Sequence, residues 1–536
     1  MVWREAFQAC AAVLLASSVV SAQGSASAQG AGLVEAVKQG DVQRSRRLLQ
    51  QGANPSAGQP DGTTALHWAA QRGDVALVDV LLAARANPAA ANRFQVTPLS
   101  LAAENGNAVV IERLLKAGAT ANASLPGGET ALMTAARTGR ADAVKVLLAH
   151  GADVNARETA RGQTALMWAA AQGHASAIKA LIEAGADVRA RSHGPVIKAP
   201  RGDEVDKIYA GRDIRRKDRD YRRKDRIDAM TPLMFAVQLG RIDAARALLD
   251  GGADLAERLE DGTSPLMLAL ANQHWELASL LLDRGAGPHD TSRGWSPLHQ
   301  IVRARTLNTG EFPRPVETGR LSSLDLAKKL LALGAAADAE MVPASFDDGY
   351  SGGLDRRGAT PLVLAAHGAD HEMMRLLVEH GADVQRTSKA HSSILMLASG
   401  VEIGQLGSTG GTNEDALVAV QFAIGIGLDV NAANSNGMTA LHGAAGERGS
   451  NELVELLVKH GARLDAKDRS GCTPIRLAQG DRAACGLTAR SPRPATFALL
   501  QRIMTERGVP LEIRSDEQMY EFGFAKAKSD DPTRSK

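Results

Sequence analysis

One short phrase, a capping hydroxyl followed by Ala or Pro and then Leu, returns at a near-constant interval over most of the 536 residues. It stands at Thr64-Ala65-Leu66, Thr97-Pro98-Leu99, Thr130-Ala131-Leu132 and Thr164-Ala165-Leu166, with leucine spacings of 33, 33 and 34. It returns around Leu233, Leu266, Leu298, Leu362, Leu441 and Ile475, with a degenerate copy at Ser393-Ile394-Leu395. A unit of that length cannot bury an apolar face alone, so successive units have to stack. A stacked array also escapes the size limit of a single globular core, and the chain need not divide into three or four domains.

The residue types inside the unit say what it folds into. Thr or Ser at the helix N-cap can accept an orphan backbone N–H. Pro fits the next position, where the N–H has no intrahelical partner. Ala pairs such as Ala69-Ala70 and Ala135-Ala136 let helices approach closely, and Gly73, Gly106, Gly139 and Gly173 end the first helix. A second helix follows, carrying Leu81-Leu82, Leu114-Leu115 or Leu147-Leu148 toward the inter-repeat core, and Gly-Ala then leads into an extended finger. Only 3% of the chain is aromatic against 44% apolar, which suits short, tightly packed Ala- and Leu-rich helices.

This pattern resembles the ankyrin repeat from about Gly32 to Glu512. The resemblance implies an all-α ankyrin-repeat solenoid of about 12 helix-turn-helix repeats with extended finger loops, counting an N-terminal capping repeat at Leu33–Asn54. It also implies a binding surface on the concave side, made by the fingers and the solvent side of the first helices. Mapped onto this chain, the finger positions are Pro60, Asp61 and Thr63, then Arg93, Phe94 and Val96, then Glu129, then Arg161 and Gln163. The helix positions are Gln71-Arg72, Glu104-Asn105 and Arg137-Thr138. Phe94 is the expected anchor, since an aromatic at a finger tip has little core reason to exist. His67, His299 and His442 belong, by the same resemblance, to the hydrogen-bond scaffold of the repeat. Trp68 and Trp168 are read as buried between helices.

The first 28 residues read as a secretory signal peptide: Arg4, an apolar run from Ala9 to Val20, then small-residue sites ending at Ala22 or Ala28. Twelve helical residues reach ~18 Å, short of the ~30 Å hydrocarbon core, so the run does not span a bilayer. The mature chain is therefore expected to be periplasmic or secreted, without a membrane span, and monomeric. Cys472 and Cys485 remain after cleavage; an oxidising compartment permits a bridge between them, with two free thiols as the alternative.

Regular repeats occupy 29–191, and an inserted segment follows at 192–229. Repeats resume over 230–390, interrupted at 306–320 and 340–356, and over 391–512, interrupted at 400–412 and closed by a C-terminal cap; 513–536 is a polar tail. Such long insertions make the chain similar to large exported ankyrin proteins of bacteria. The first insertion holds Arg212–Arg226, nine basic residues against four acidic ones. It reads as a solvated mixed-charge loop or, alternatively, as an element that docks polyanions. Nucleic acid is disfavoured as a partner by export and by the overall charge of +2.

Signals of chemistry are weak. Gly349-Tyr350-Ser351-Gly352-Gly353 fits the hydrolase elbow but falls in a loop between helical repeats, without the strand-to-helix turn that motif needs. His371-Glu372 opens like a zinc-protease helix, yet Arg375 stands where the second His belongs. No cofactor motif is present. The sequence therefore points to a non-catalytic scaffold for a protein partner. A polyanion adaptor working through the Arg-rich insertion and an enzyme with its site in the irregular second half are the alternatives.

Overall fold

A computed structural model describes residues 30–193, 229–306, 319–342, 354–403, 411–480, 485, 492–511 and 513. The signal segment, the Arg-rich run Arg212–Arg226, the Gly349–Gly353 motif and the polar tail lie outside the described residues. The chain forms two compact units, Met1–Glu260 and Asp261–Lys536. The division falls after Glu260, within the sequence segment 230–390 rather than at the insertion 192–229.

In the first unit, helical hairpins follow one another: Ala65–Arg72 with Val75–Ala83, Pro98–Asn105 with Ala108–Lys116, Ala131–Arg137 with Ala141–Ala149, Ala165–Gln172 with Ala175–Glu183, and Pro232–Gln238 with Ile242–Asp250. A helix over 30–38 and Val42–Gln50 precede them as the capping repeat. The cap hydroxyls act as their sequence positions require. Thr97, Thr130, Thr164 and Thr231 each accept the backbone N–H three residues on. Among the described residues there are no strands; two isolated bridges, Gly58 with Thr64 and Ser124 with Thr130, pinch the bases of fingers.

Packing follows from side-chain size. Ala69, Ala70, Ala102, Ala103, Ala135 and Ala136 are fully buried, which brings first helices of successive repeats together. In each leucine pair the first member is completely buried (Leu81, Leu114 and Leu147), whereas Leu82 and Leu148 are only partly covered. Gly106 shows why glycine ends the first helix. Its φ is +67°, and a Cβ there would collide with the Arg140 side chain from the next repeat.

Polar side chains tie repeat to repeat where helices cannot. Asn122 donates to the Gly151 carbonyl at 3.0 Å and accepts from the Asp153 N–H at 2.7 Å. Asn155 makes the same pair of bonds to Gly185 and Asp187, at 3.2 and 2.9 Å. The chain on either side of the first insertion is clipped together: Ser192 N–H donates to Met230 O, and Met230 N–H donates to Ser192 Oγ, both at 3.0 Å. Arg241 Nε then donates to Ala171 O at 3.2 Å, so the repeats flanking the insertion stack directly on each other.

The second unit repeats the hairpin with more variation. Pro297–Thr306 is answered by Ser323–Ala332 across the second insertion, and Ile394–Ala398, capped by Ser393, by Asn413–Gly425 across the fourth. One first helix departs from α geometry. After Ala440–His442 the chain continues as a π-helix over Gly443–Arg448. The cause is a residue count: Gly73, Gly106, Gly139 and Gly173 stand nine residues after the cap Thr, whereas Gly449 stands ten after Thr439. One extra residue in a helix held at both ends is absorbed as a wider turn. Farther on, Cys472 and Cys485 are buried with their Cα atoms 5.2 Å apart and their sulfurs bonded. They pack with Met396, Val401, Met438 and Leu477. Pro494–Glu506 supplies the last second helix.

Candidate functional site

Buried histidines brace successive fingers, His67 in the first unit and His299 and His442 in the second. His67 Nδ1 accepts from Thr64 N–H at 3.1 Å, which leaves Nε2–H to donate to Val96 O of the next finger at 3.0 Å. His299 and His442 repeat the device toward Ala359 O and Cys472 O, at 3.0 and 3.1 Å. A ring that accepts at one nitrogen and donates at the other is neutral, and burial holds all three below the usual histidine range, His299 at about 4. These histidines set the distance between fingers; they are not arranged to bind a ligand.

The finger holding Phe94 is rigid. Asn92, itself buried, accepts from the N–H groups of Phe94 and Val96 at 3.0 Å each and donates to Thr63 Oγ1 at 3.2 Å. Arg93 N–H donates to Asp61 O at 2.9 Å, which ties the tip to the finger before it. Phe94 is left 55% exposed, with the Arg93 guanidinium 4.6 Å from its ring centre. That stack desolvates one ring face and keeps the cation beside it.

The remaining expected positions divide into committed and open side chains. Asp61 accepts from Thr63 N–H and Oγ1 at 2.9 Å each, which lowers its carboxyl below the ordinary aspartate value. Asn105 donates to the carbonyls of Ala70 and Gln71, and Glu129 accepts from Thr134 Oγ1 at 2.8 Å. Val96 and Gln163 are half-buried in their fingers. These five hold the face together. Gln71, Arg72, Glu104, Arg137 and Arg161 are exposed. Arg72 donates to Lys38 O at 3.2 Å, while Arg137 lies 3.9 Å from Glu129.

Sequence reasoning placed Trp68 and Trp168 between helices, and here it missed a feature. Both are half-buried on the first helices, each with a cation over its ring: Lys38 at 4.5 Å from Trp68 and Arg137 at 5.8 Å from Trp168. Trp68 Nε1 donates to Gln59 at 3.1 Å, whereas the buried Trp168 Nε1 has no partner among the described residues. Leu101 and Phe235 occupy the matching repeat position and are also half-buried. The register supplied only part of the signal: all four stand four residues after the cap Thr, but so does the buried Thr134, which separates Leu101 from Trp168. A half-exposed apolar row flanked by cations can hold an extended partner by area and position it by charge.

Among the described residues no group of His, Cys, Asp and Glu is placed to hold a metal ion, and no helix is long and apolar enough to cross a membrane.

Stacked helical hairpins linked by polar fingers define a helical-repeat protein. Models of ankyrin repeats match residues 33–192, 205–311, 357–389 and 423–478, and the chain belongs to the ankyrin-repeat family. It is similar to ankyrin repeat and SOCS box protein 16 of Mus musculus, at 35% identity over 46% of this chain and 47% of that one. It is also similar to human B-cell lymphoma 3 protein, at 27% identity over 50% of this chain and 52% of that one. The chain thus spans about half the length of the curated relatives it matches.

Proposed function

We propose that this chain is a non-catalytic scaffold that holds a protein partner against the finger face of its first unit. Phe94 carries the reading: a large apolar side chain, more than half exposed, on a finger fixed from both sides, has no packing role that accounts for it. Gln71, Glu104, Arg137 and Arg161 form the polar rim, and Trp68 and Trp168 the deeper apolar floor. Asp61, Thr63 and Asn105 position these groups. The signal-like segment at 1–28 supports action in the periplasm or outside the cell, as a monomer. The relatives support a repeat architecture used for binding; the partners of those proteins are their own.

The test is capture of the partner by purified, signal-free chain at low and high salt, with Phe94→Ala beside it. The scaffold reading expects one protein retained at both salts, and roughly tenfold or greater weakening with Phe94→Ala at unchanged melting temperature, as for an interface hot spot. Retention of polyanions alone, lost at high salt, would move the function to the Arg-rich insertion instead.

A further inference from the structure

Two residues before the cap, most fingers turn through a glycine at positive φ, among them Gly62, Gly128 and Gly162 in the first unit. Two fingers put a side chain there instead, Gln95 at φ +62° and His391 at +61°. Glycine takes this conformation without steric cost, and histidine visits it more readily than glutamine does. His391 is bonded there: its Nδ1 lies 2.7 Å from Ser435 Oγ of the next finger. Gln95 is exposed, and its side-chain amide has no hydrogen-bond partner among the described residues.

The backbone beside Gln95 is also unpaired. Successive fingertips of the first unit are tied by one backbone bond each: Arg93 N–H donates to Asp61 O at 2.9 Å, Thr159 N–H to Gly127 O at 2.8 Å and His193 N–H to Arg161 O at 2.7 Å. The matching acceptor on the finger between the first two bonds is Phe94 O, three residues before its cap as Asp61 is before Thr64. Its donor position, four before Thr130 as Arg93 is four before Thr97, is held by Pro126, which has no N–H. Phe94 O accepts no backbone bond among the described residues. The tip that follows leaves room beside it: Pro126 and Gly127 are exposed, and a Cβ on Gly127 would meet nothing within 4 Å.

We infer that Gln95 and the Phe94 carbonyl form a recognition site for the backbone of an extended segment of the protein partner. The carbonyl accepts one N–H of that segment. The Gln95 amide, donor and acceptor at once, pairs with the C=O and N–H of a neighbouring peptide unit. A helix has spent its backbone groups internally, whereas an extended segment presents them in a row. The Phe94 ring takes an apolar side chain of the same segment. The inference rests on the scaffold reading and adds to it the kind of segment that is held.

Random linear 12-residue peptides displayed on phage and selected on the full chain supply the probes. Each enriched peptide is then synthesised as it stands and with single backbone amides N-methylated. Peptides whose binding needs Phe94 are expected to weaken roughly fivefold with Gln95→Gly, and as much with N-methylation at one central amide, the effect of one hydrogen bond. Gln95→Gly should leave the melting temperature within about 2 °C of the parent, because relief of the turn offsets the freer unfolded chain. Peptides that need Phe94 but bind Gln95→Gly equally well, or tolerate N-methylation at every position, would overturn the inference and leave the scaffold reading standing. A selection that yields no Phe94-dependent peptide would remove the finger face itself, and the inference with it. A marked fall in melting temperature would make Gln95 a packing residue and overturn the inference alone.

Discussion

The histidines show how a polar residue comes to be invariant in role within one chain while doing no chemistry. His67, His299 and His442 each accept from their own cap and donate to the next finger, which only the neutral ring can do. Their protonation is therefore coupled to folding. Burial lowers the folded-state value, to about 4 for His299 and likewise for His367. Below about pH 6.5 the unfolded chain binds protons that the folded chain refuses, so stability falls as pH drops from 6.5 toward 4 and this contribution levels off below. Melting temperature followed across that window should decline, and His299→Gln should make the decline shallower. An unchanged slope in the variant would mean that His299 is charged in the fold. The capping role of these histidines was legible through the repeat they follow. The half-exposure of Trp68 and Trp168 was not, because a tryptophan beside small alanines fits a core and a groove equally well until the neighbouring helix is placed.

At the scale of the element, the helices were legible because the cap, the Ala pair and the leucine recur with the period. What the phrase could not convey is asymmetry within a pair: Leu147 is fully buried while Leu148 is not. Leu147→Ala should cost ~2–5 kcal/mol by cavity formation, whereas Arg137→Ala should stay within about ±0.5 kcal/mol. Chemical denaturation of the two variants checks this, and equal effects would contradict the register. The π-helix at Gly443–Arg448 was present in the sequence as one residue too many between Thr439 and Gly449. A count of residues shows that something must give; only the packing shows that the helix widens rather than the finger. It does so because Gly443 and Gly446 let Val401 and Leu477 come close where a Cβ would not fit.

At the scale of the whole chain, an insertion in each unit interrupts the sequence more than it interrupts the stacking of repeats within that unit. Ser192 and Met230 close the base of the first, and Met341 N–H and Gly358 N–H close the base of the third by bonding to Ala359 O and Met341 O. Loops clipped in this way can vary while the repeats keep their register. The buried Cys472–Cys485 bridge belongs at this scale too, because it ties the last first helix to the chain leading into Pro494–Glu506. Thiol titration of the denatured, unreduced chain lacking residues 1–28 should find neither Cys472 nor Cys485 free; two free thiols would mean that the last repeat is unbridged.

The central claim is that the finger face, and not the opposite side of the stack, meets the partner. A photoreactive phenylalanine analogue placed at Phe94, and in a second variant at Val109 on a second helix, tests it in extracts of the source cell at low and high salt. Val109 is 48% exposed, close to the exposure of Phe94, so accessibility alone does not separate the two positions. We expect one protein adduct from position 94 at both salts and none from position 109. Equal labelling from the two positions, or none from position 94, would contradict the account.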